Sequence, residues 1–154
     1  MNHSIMHLDL DTFFVSCERL LDSRLNGQPV LIGGTSDRGV VASCSYEARA
    51  FGVHSAMPMK LAKQLCPEAI IIRGNSSTYM KKSEEVTEII RESVPLFEKT
   101  SVDEFYCDLT GMDRFFGCYK FADELRERVI RETGLPISFG LSVNKTVSKV
   151  ATGE

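Results

Sequence analysis

The chain has 154 residues, 43% of them hydrophobic and 25% charged, with a formal net charge of −3. This composition is typical of an ordinary globular domain, and no apolar run approaches the roughly 20 residues of a membrane-spanning helix. Because duplex binding depends largely on Lys and Arg that neutralise phosphates, this net negative chain should by itself bind DNA weakly.

The first predicted element is a half-buried strand that ends in acidic residues. Apolar and polar residues alternate from Met6 to Asp11, so His7, Asp9 and Asp11 share one face. Carboxylates on a strand face are costly unless positive charge meets them, and a divalent cation is the obvious candidate. For Asp11 we favour another role, as the N-cap of a helix that begins at Thr12. We interpret His7 as structural or solvent-exposed, because it has no partner at metal-ligand spacing.

Short helices and strands are predicted from residue 12 to residue 74. Apolar residues at helical spacing, closed by Asn26 and Gly27, predict a helix over 12–25. The following elements are predicted to be strands at 29–32 and 40–43, helices at 46–51 and 57–65, and a strand at 69–72. We expect this segment to form a small α/β insertion.

The rest of the chain predicts a long helix, two paired strands, a helix and a strand. Their ranges are 75–94, 97–102, 105–109, 119–133 and 137–141, and a last helix capped by Ser142 or Asn144 is still running at Glu154. Together with the first strand, this is the β-α-β-β-α-β order of a ferredoxin-like fold. We therefore predict an α+β protein with a ferredoxin-like part and a small α/β insertion.

A second acidic cluster, Asp103 and Glu104, lies between the two paired strands. Adjacent strand residues point to opposite faces, so both carboxylates could converge on a metal only at a strand end or tight hairpin. The ferredoxin-like order makes this hairpin a neighbour of the strand that carries Asp9. One acid on a first strand and two on a later hairpin form the usual carboxylate set of two-metal phosphoryl transfer. We favour this metal site over the alternative that Asp103 and Glu104 are simple turn acids.

The five cysteines are scattered, with no C-x-x-C pair: Cys17, Cys44, Cys66, Cys107 and Cys118. Their odd number and spacing argue for a reducing cytosol, and against a disulfide framework or a zinc site. No secretory signal is visible at the N-terminus. We therefore expect a cytoplasmic protein with no membrane partner.

Four separated motifs resemble one known family. They are DLDTFFVSCE at 9–18, YEAR at 46–49, SVDE at 101–104 and GLSVNK at 140–145. In this order they resemble the Y-family translesion DNA polymerases of the bacterial polymerase IV-like (ImpB/MucB/SamB) type. The resemblance implies a DNA-directed DNA polymerase that bypasses DNA damage by transferring a dNTP to a primer 3′-hydroxyl. It also implies two Mg²⁺ ions per site as cofactors, for which Mn²⁺ can substitute.

The resemblance assigns roles to individual residues. Asp9, Asp103 and Glu104 match the catalytic metal ligands, and Leu10 would contribute its backbone carbonyl. Phe14 matches the steric gate, an aromatic ring that leaves no room for a 2′-hydroxyl. The positions that contact the dNTP are matched by Phe13, Phe14, Ser43, Tyr46, Arg49 and Lys149.

The resemblance also implies a division into domains. Residues 1–11 and 75–154 would form the palm and residues 12–74 the fingers, with the thumb and little-finger domains absent. We therefore expect a truncated fragment that binds metal and dNTP but is weak or inactive alone. Its implied partners are primer-template DNA and dNTPs, and a sliding clamp is a further candidate through the missing C-terminal region.

Two other functions stay open. A nucleotidyl cyclase also places paired acids on a ferredoxin-like palm, but it should prefer ATP or GTP, and Phe14 argues against it. A nucleotide-binding or protein-interaction module without turnover is the other alternative, because positioning a primer against a nucleotide is most of the catalysis.

Overall fold

A computed structural model describes residues 4–36, 38–110 and 117–142 of the chain. Its helices and strands in chain order are β1 (Ile5–Leu10), α1 (Phe13–Leu21), a 3-10 turn (Ser23–Leu25), β2 (Val30–Gly33), β3 (Val41–Cys44), α2 (Tyr46–Arg49), α3 (Met59–Leu65), β4 (Ile70–Ile72), α4 (Ser76–Ser93), β5 (Phe97–Ser101), β6 (Glu104–Asp108), α5 (Cys118–Thr133) and β7 (Ile137–Ser142). The predicted last helix lies outside the described residues. Among the helices described, none is both long enough and apolar enough to cross a membrane.

The chain divides into two compact units. Unit 1 comprises Met1–Asp11 and Met80–Glu154, and unit 2 comprises Thr12–Tyr79. The sequence placed the second boundary after Gly74, whereas this division falls inside α4, after Tyr79.

Unit 1 contains a four-stranded sheet in the order β5-β6-β1-β7, with all neighbours antiparallel. Counted along the chain, these strands are the second, third, first and fourth of the unit, which is the ferredoxin-like arrangement. The alternation predicted for β1 buries Met6, Leu8 and Leu10. His7 is buried as well, which agrees with the structural alternative of its interpretation and not with solvent exposure. The predicted α+β fold with a ferredoxin-like part is confirmed.

Unit 2 contains a three-stranded sheet in the order β3-β2-β4. Strand β2 pairs antiparallel with β3 and parallel with β4. Its largest core cluster is formed by Leu31, Val41, Cys44, Ala48, Val53, Met57, Met59, Ala62 and Cys66. The short strands and short helices of unit 2 agree with the succession of strands and helices predicted for residues 12–74.

The first predicted helix is shorter than expected. Helix α1 ends at Leu21, and a separate 3-10 turn follows instead of a continuous helix to residue 25. Asp22 has extended backbone angles, and its carboxylate accepts a hydrogen bond from the amide of Arg24 at 3.0 Å. Asp offers the backbone this local alternative to a helical hydrogen bond, which is why the helix stops here.

The cysteine side chains that the structure describes, Cys17, Cys44, Cys66 and Cys107, are buried, and none of them forms a disulfide. Burial raises the pKa of the Cys107 thiol to about 12, and only the thiolate is an efficient nucleophile. While the chain is folded, we expect iodoacetamide at mildly alkaline pH to modify at most Cys118. The side chain of Cys118 is not among those that the structure describes. Mass spectrometry should find all five cysteines modified after denaturation. Rapid modification of Cys107 in the folded chain would contradict its placement in the sheet.

Candidate metal-binding and nucleotide-binding residues

The pairing of β1 with β6 brings two of the predicted carboxylates together. Asp9 lies directly opposite Glu104 in the antiparallel register. Such partners project from the same face of the sheet, with Cβ atoms about 4.5–5.5 Å apart. Asp103 lies in the turn between β5 and β6, immediately before Glu104. Residues almost one hundred positions apart in the sequence are therefore neighbours in the sheet.

The turn that carries Asp103 is tied to the end of β1. The carbonyl oxygen of Asp103 accepts a hydrogen bond from the amide of Leu10 at 2.8 Å. The hydroxyl of Ser101 donates to the Asp103 carboxylate at 2.9 Å. Asp9, Asp103 and Glu104 are each half-buried, so solvent reaches all three residues. The side chain of Leu10 packs in the core.

Glu104 is held by a neighbour on the same face. Its Oε1 lies 2.8 Å from Nε2 of His7, whereas the hydroxyl of Tyr106 is farther away, at 3.5 Å. The interpretation of His7 as structural or exposed missed this contact. A signal was present, because His7 shares a strand face with Asp9 and the predicted topology sets that face beside Glu104.

Asp11 does not have the role predicted for it. The N-cap of α1 is Thr12, in the left-handed region with φ 40°. Both carboxylate oxygens of Asp11 accept from the hydroxyl of Ser138, at 2.9 and 2.7 Å, and its amide donates to the carbonyl of Pro136 at 3.0 Å. The predicted N-cap is wrong because contacts to β7 and the segment before it hold Asp11 at the end of the sheet.

The donor types fit a hard divalent cation, which takes carboxylate and carbonyl oxygens. Within the described ranges, however, no group of three or more His, Cys, Asp or Glu side chains could hold a metal ion as it stands. In this structure Oε1 of Glu104 is engaged by His7. The pairing of β1 with β6 therefore places carboxylate ligands on one face of the sheet. These side chains would have to move together when a cation binds.

Phe14 lies on a partly exposed aromatic stack in unit 2. Its ring stacks on that of Tyr79, with centroids 4.6 Å apart and an interplanar angle of 27°. The Tyr79 hydroxyl donates to the largely buried carboxylate of Glu18 at 2.7 Å, and burial together with Glu18 raises the pKa of Tyr79. Phe13 is buried, as expected of a core residue. The stack holds the Phe14 ring in one orientation.

Tyr46 and Arg49 meet on the single turn of α2. Both are exposed, and the guanidinium carbon of Arg49 lies 4.9 Å from the centroid of the Tyr46 ring. Ser45 caps this turn, because its side chain accepts from the amide of Ala48. Ser43 is half-buried on β3. Lys149 lies outside the described residues.

Comparison with known proteins then identifies the family. Residues 8–153 match the model of the impB/mucB/samB family. The chain belongs to this family. The resemblance drawn from the four sequence motifs is confirmed.

Two curated relatives of this impB/mucB/samB family member are named DNA polymerase IV. A DNA polymerase IV of Treponema denticola is 47% identical over 148 residues, which are 96% of this chain and 38% of the relative. A DNA polymerase IV of Halorhodospira halophila is 44% identical over 152 residues, 97% of this chain and 43% of the relative. The chain therefore spans about two fifths of the length of these curated relatives.

Solved structures agree with this family. A structure described as the insertion ternary complex of Dbh DNA polymerase has a TM-score of 0.91 at 26% identity, and covers 97% of this chain and 45% of its own. A crystal structure of DinB from Sulfolobus solfataricus has a TM-score of 0.89 at 25% identity, with the same coverage of both chains.

In unit 2 of this family member, the sequence analysis did not identify Tyr79 as a neighbour of Phe14 and Glu18. It was predicted only as part of a long helix, and nothing in its spacing from Glu18 indicated a hydrogen bond across 61 residues. The first turn of α4 belongs to unit 2, and the Tyr79 ring is packed there against Phe14.

Proposed function

We propose that this chain is the palm and fingers part of a translesion DNA-directed DNA polymerase. The observation that carries the proposal is the register that sets Asp9 opposite Glu104, beside the turn that holds Asp103. Family membership and relatives named DNA polymerase IV support it. The palm would correspond to unit 1 and the fingers to unit 2.

Unit 1 would hold the metal ions. Asp9, Asp103 and Glu104, with the backbone carbonyl of Leu10, would coordinate two Mg²⁺ ions, for which Mn²⁺ can substitute. When bound, such ions lower the pKa of a primer 3′-hydroxyl and neutralise charge on the triphosphate and the leaving pyrophosphate. The half-buried carboxylates keep a negative surface that is open to solvent, which suits a cation that arrives with its nucleotide.

Unit 2 would bind the dNTP. The exposed Arg49 offers a planar fork of donors suited to phosphate oxygens, and the Tyr46 ring steadies its guanidinium. The amides of Phe13 and Phe14 lie at the start of α1, where a helix favours anions. Ser43 would act near them. Lys149, which belongs to the proposed palm, would contact the β- and γ-phosphates.

Phe14 would act as the steric gate for the sugar. Its stacked contact with Tyr79 limits movement of the ring, so a 2′-hydroxyl placed against it could be accommodated only by displacing both rings. Aromatic packing of this kind is worth about 0.5–1.5 kcal/mol beyond area burial.

Primer-template DNA and dNTPs would be the partners, in the cytoplasm. A sliding clamp is a further candidate partner. The net charge of −3 favours weak DNA binding by the chain itself. The second candidate, a nucleotide-binding module without turnover, is favoured by this charge.

Thermal unfolding with dATP or ATP, each with and without Mg²⁺, tests the proposal. A ligand at a hundredfold its dissociation constant stabilises the native state by about 2.7 kcal/mol, or roughly 5–10 °C for a chain of this size. We expect stabilisation by dATP only with Mg²⁺, and less by ATP. Replacing Phe14 by Val should bring ATP close to dATP. A preference of the unaltered chain for ATP would favour the cyclase, and no shift with either nucleotide would count against nucleotide binding by this chain.

Primer extension separates the polymerase from the binding module. A large excess of the chain at low salt, with primer-template DNA and Mg²⁺, should extend the primer slowly if unit 1 is catalytic. Nucleotide binding without any extension would support the module instead.

A further inference from the structure

His7 is a buried polar side chain to which the proposed function gives no role. Its relative exposure is 1%. In the sheet it lies between Tyr106 on β6 and Gly140 on β7. The imidazole packs against the Tyr106 ring, with centroids 4.9 Å apart and planes at 48°. A side chain confined in this way can hold a partner in one orientation.

The contact of His7 is with the carboxylate proposed to bind metal. Nε2 of His7 lies 2.8 Å from Oε1 of Glu104, its diagonal neighbour across the strand pair. An ionised carboxylate can only accept, so Nε2 carries the hydrogen and donates. The Glu104 side chain has three rotatable bonds. A hydrogen-bond donor in a fixed position already restricts these rotations, so Glu104 loses less conformational entropy when it binds a metal ion.

We propose that His7 is a positioning residue, which fixes Oε1 of Glu104 through Nε2–H and so restricts the movement by which Glu104 would join Asp9 and Asp103 around a divalent cation. The inference rests on the proposed function, because it gives His7 a role only if Glu104 is a metal ligand. Ligands to metals are commonly oriented by a second hydrogen-bonding group, and loss of that group typically weakens metal affinity about 10–100-fold.

Two substitutions of His7 separate positioning from packing. Leu fills much of the imidazole volume but donates nothing, whereas Gln carries a donor close to the position of Nε2. Tyr106→Phe is the matched control, because it removes only a hydroxyl 3.5 Å from Glu104, beyond ordinary hydrogen-bond length. A purely structural His7 would change stability in both His7 variants and would not give Gln any advantage in affinity.

The probe is the preformed Mn²⁺–dATP complex, and its binding is followed by isothermal titration calorimetry at a temperature where every variant is folded. We expect His7→Leu to raise the Kd about 10–100-fold. His7→Gln should recover most of this loss, and Tyr106→Phe should bind like the unaltered chain. Equal affinity of His7→Leu and the unaltered chain would overturn the inference, as would a Gln variant no better than Leu.

Failure of the inference can be distinguished from failure of the proposed function. If the unaltered chain binds Mn²⁺–dATP and Asp9→Asn abolishes binding while His7→Leu does not weaken it, only the inference falls. If the unaltered chain does not bind, both fall.

A second measurement covers the case in which His7→Leu does not fold. In the unaltered chain with ¹⁵N-labelled imidazole, Mg²⁺ with dATP should shift the Nε2 resonance of His7. Glu104→Gln should remove this response. A His7 resonance that is indifferent to Mg²⁺–dATP in a chain that binds it would overturn the inference.

Discussion

Replacing Asp9 by Asn and Glu104 by Gln together is expected to abolish Mg²⁺-dependent binding of dATP. The two residues face each other across β1 and β6, so the change removes both negative charges from one face while nearly conserving side-chain shape. Affinity of oxygen sites for hard cations depends on the number of charged ligands, and we expect a loss of about 100-fold or more. Isothermal titration calorimetry of the chain with Mg²⁺–dATP measures it.

Asp108 provides a matched control on the same strand. It lies on the same face of β6 as Glu104, about 13 Å further along the strand, and its carboxylate accepts from the amide of Thr110 at 2.9 Å. Asp108→Asn should therefore leave nucleotide binding unchanged, and circular dichroism should show that both proteins are folded. Unchanged binding by the double variant would show that these carboxylates of unit 1 do not form the metal site, even though the chain belongs to the family.

The topology of unit 1 could be predicted because its signals are local and periodic. Alternation in β1 and the succession of helices and strands after residue 75 define the ferredoxin-like order without any tertiary information. The placement of Asp9 opposite Glu104, next to the turn that carries Asp103, followed from that order, since the central hairpin pairs with the first strand.

The errors occur where tertiary contacts override local preference. Asp is a favoured N-cap, yet Asp11 is held by Ser138, 127 residues away. The sequence left His7 open between a structural and a solvent-exposed residue and did not indicate its contact with Glu104, 97 positions away, whereas the side chain is buried in the structure. Spacing along the chain reports which face a residue occupies, but it does not report what covers that face.

Ser45 is expected to give the largest stability effect of a single polar substitution in unit 2. It is fully buried, and its hydroxyl oxygen accepts from the amides of Val30 at 2.9 Å and Ala48 at 3.3 Å. Ser45→Ala removes an N-cap, which costs about 0.5–2 kcal/mol. It also leaves the buried Val30 amide without this acceptor, at about 1–3 kcal/mol. Together these terms predict a loss of roughly 2–4 kcal/mol in the free energy of unfolding.

Urea denaturation followed by circular dichroism measures this loss, and Ser55→Ala is its control. Ser55 is exposed, so its truncation should change the free energy of unfolding by less than about 0.5 kcal/mol. Because Ser45 also positions the turn that carries Tyr46 and Arg49, its replacement should weaken dATP binding even at low denaturant, where unit 2 remains folded. Lost stability with unchanged nucleotide affinity would mean that α2 is kept in place by its packing, and that the cap contributes to the fold alone.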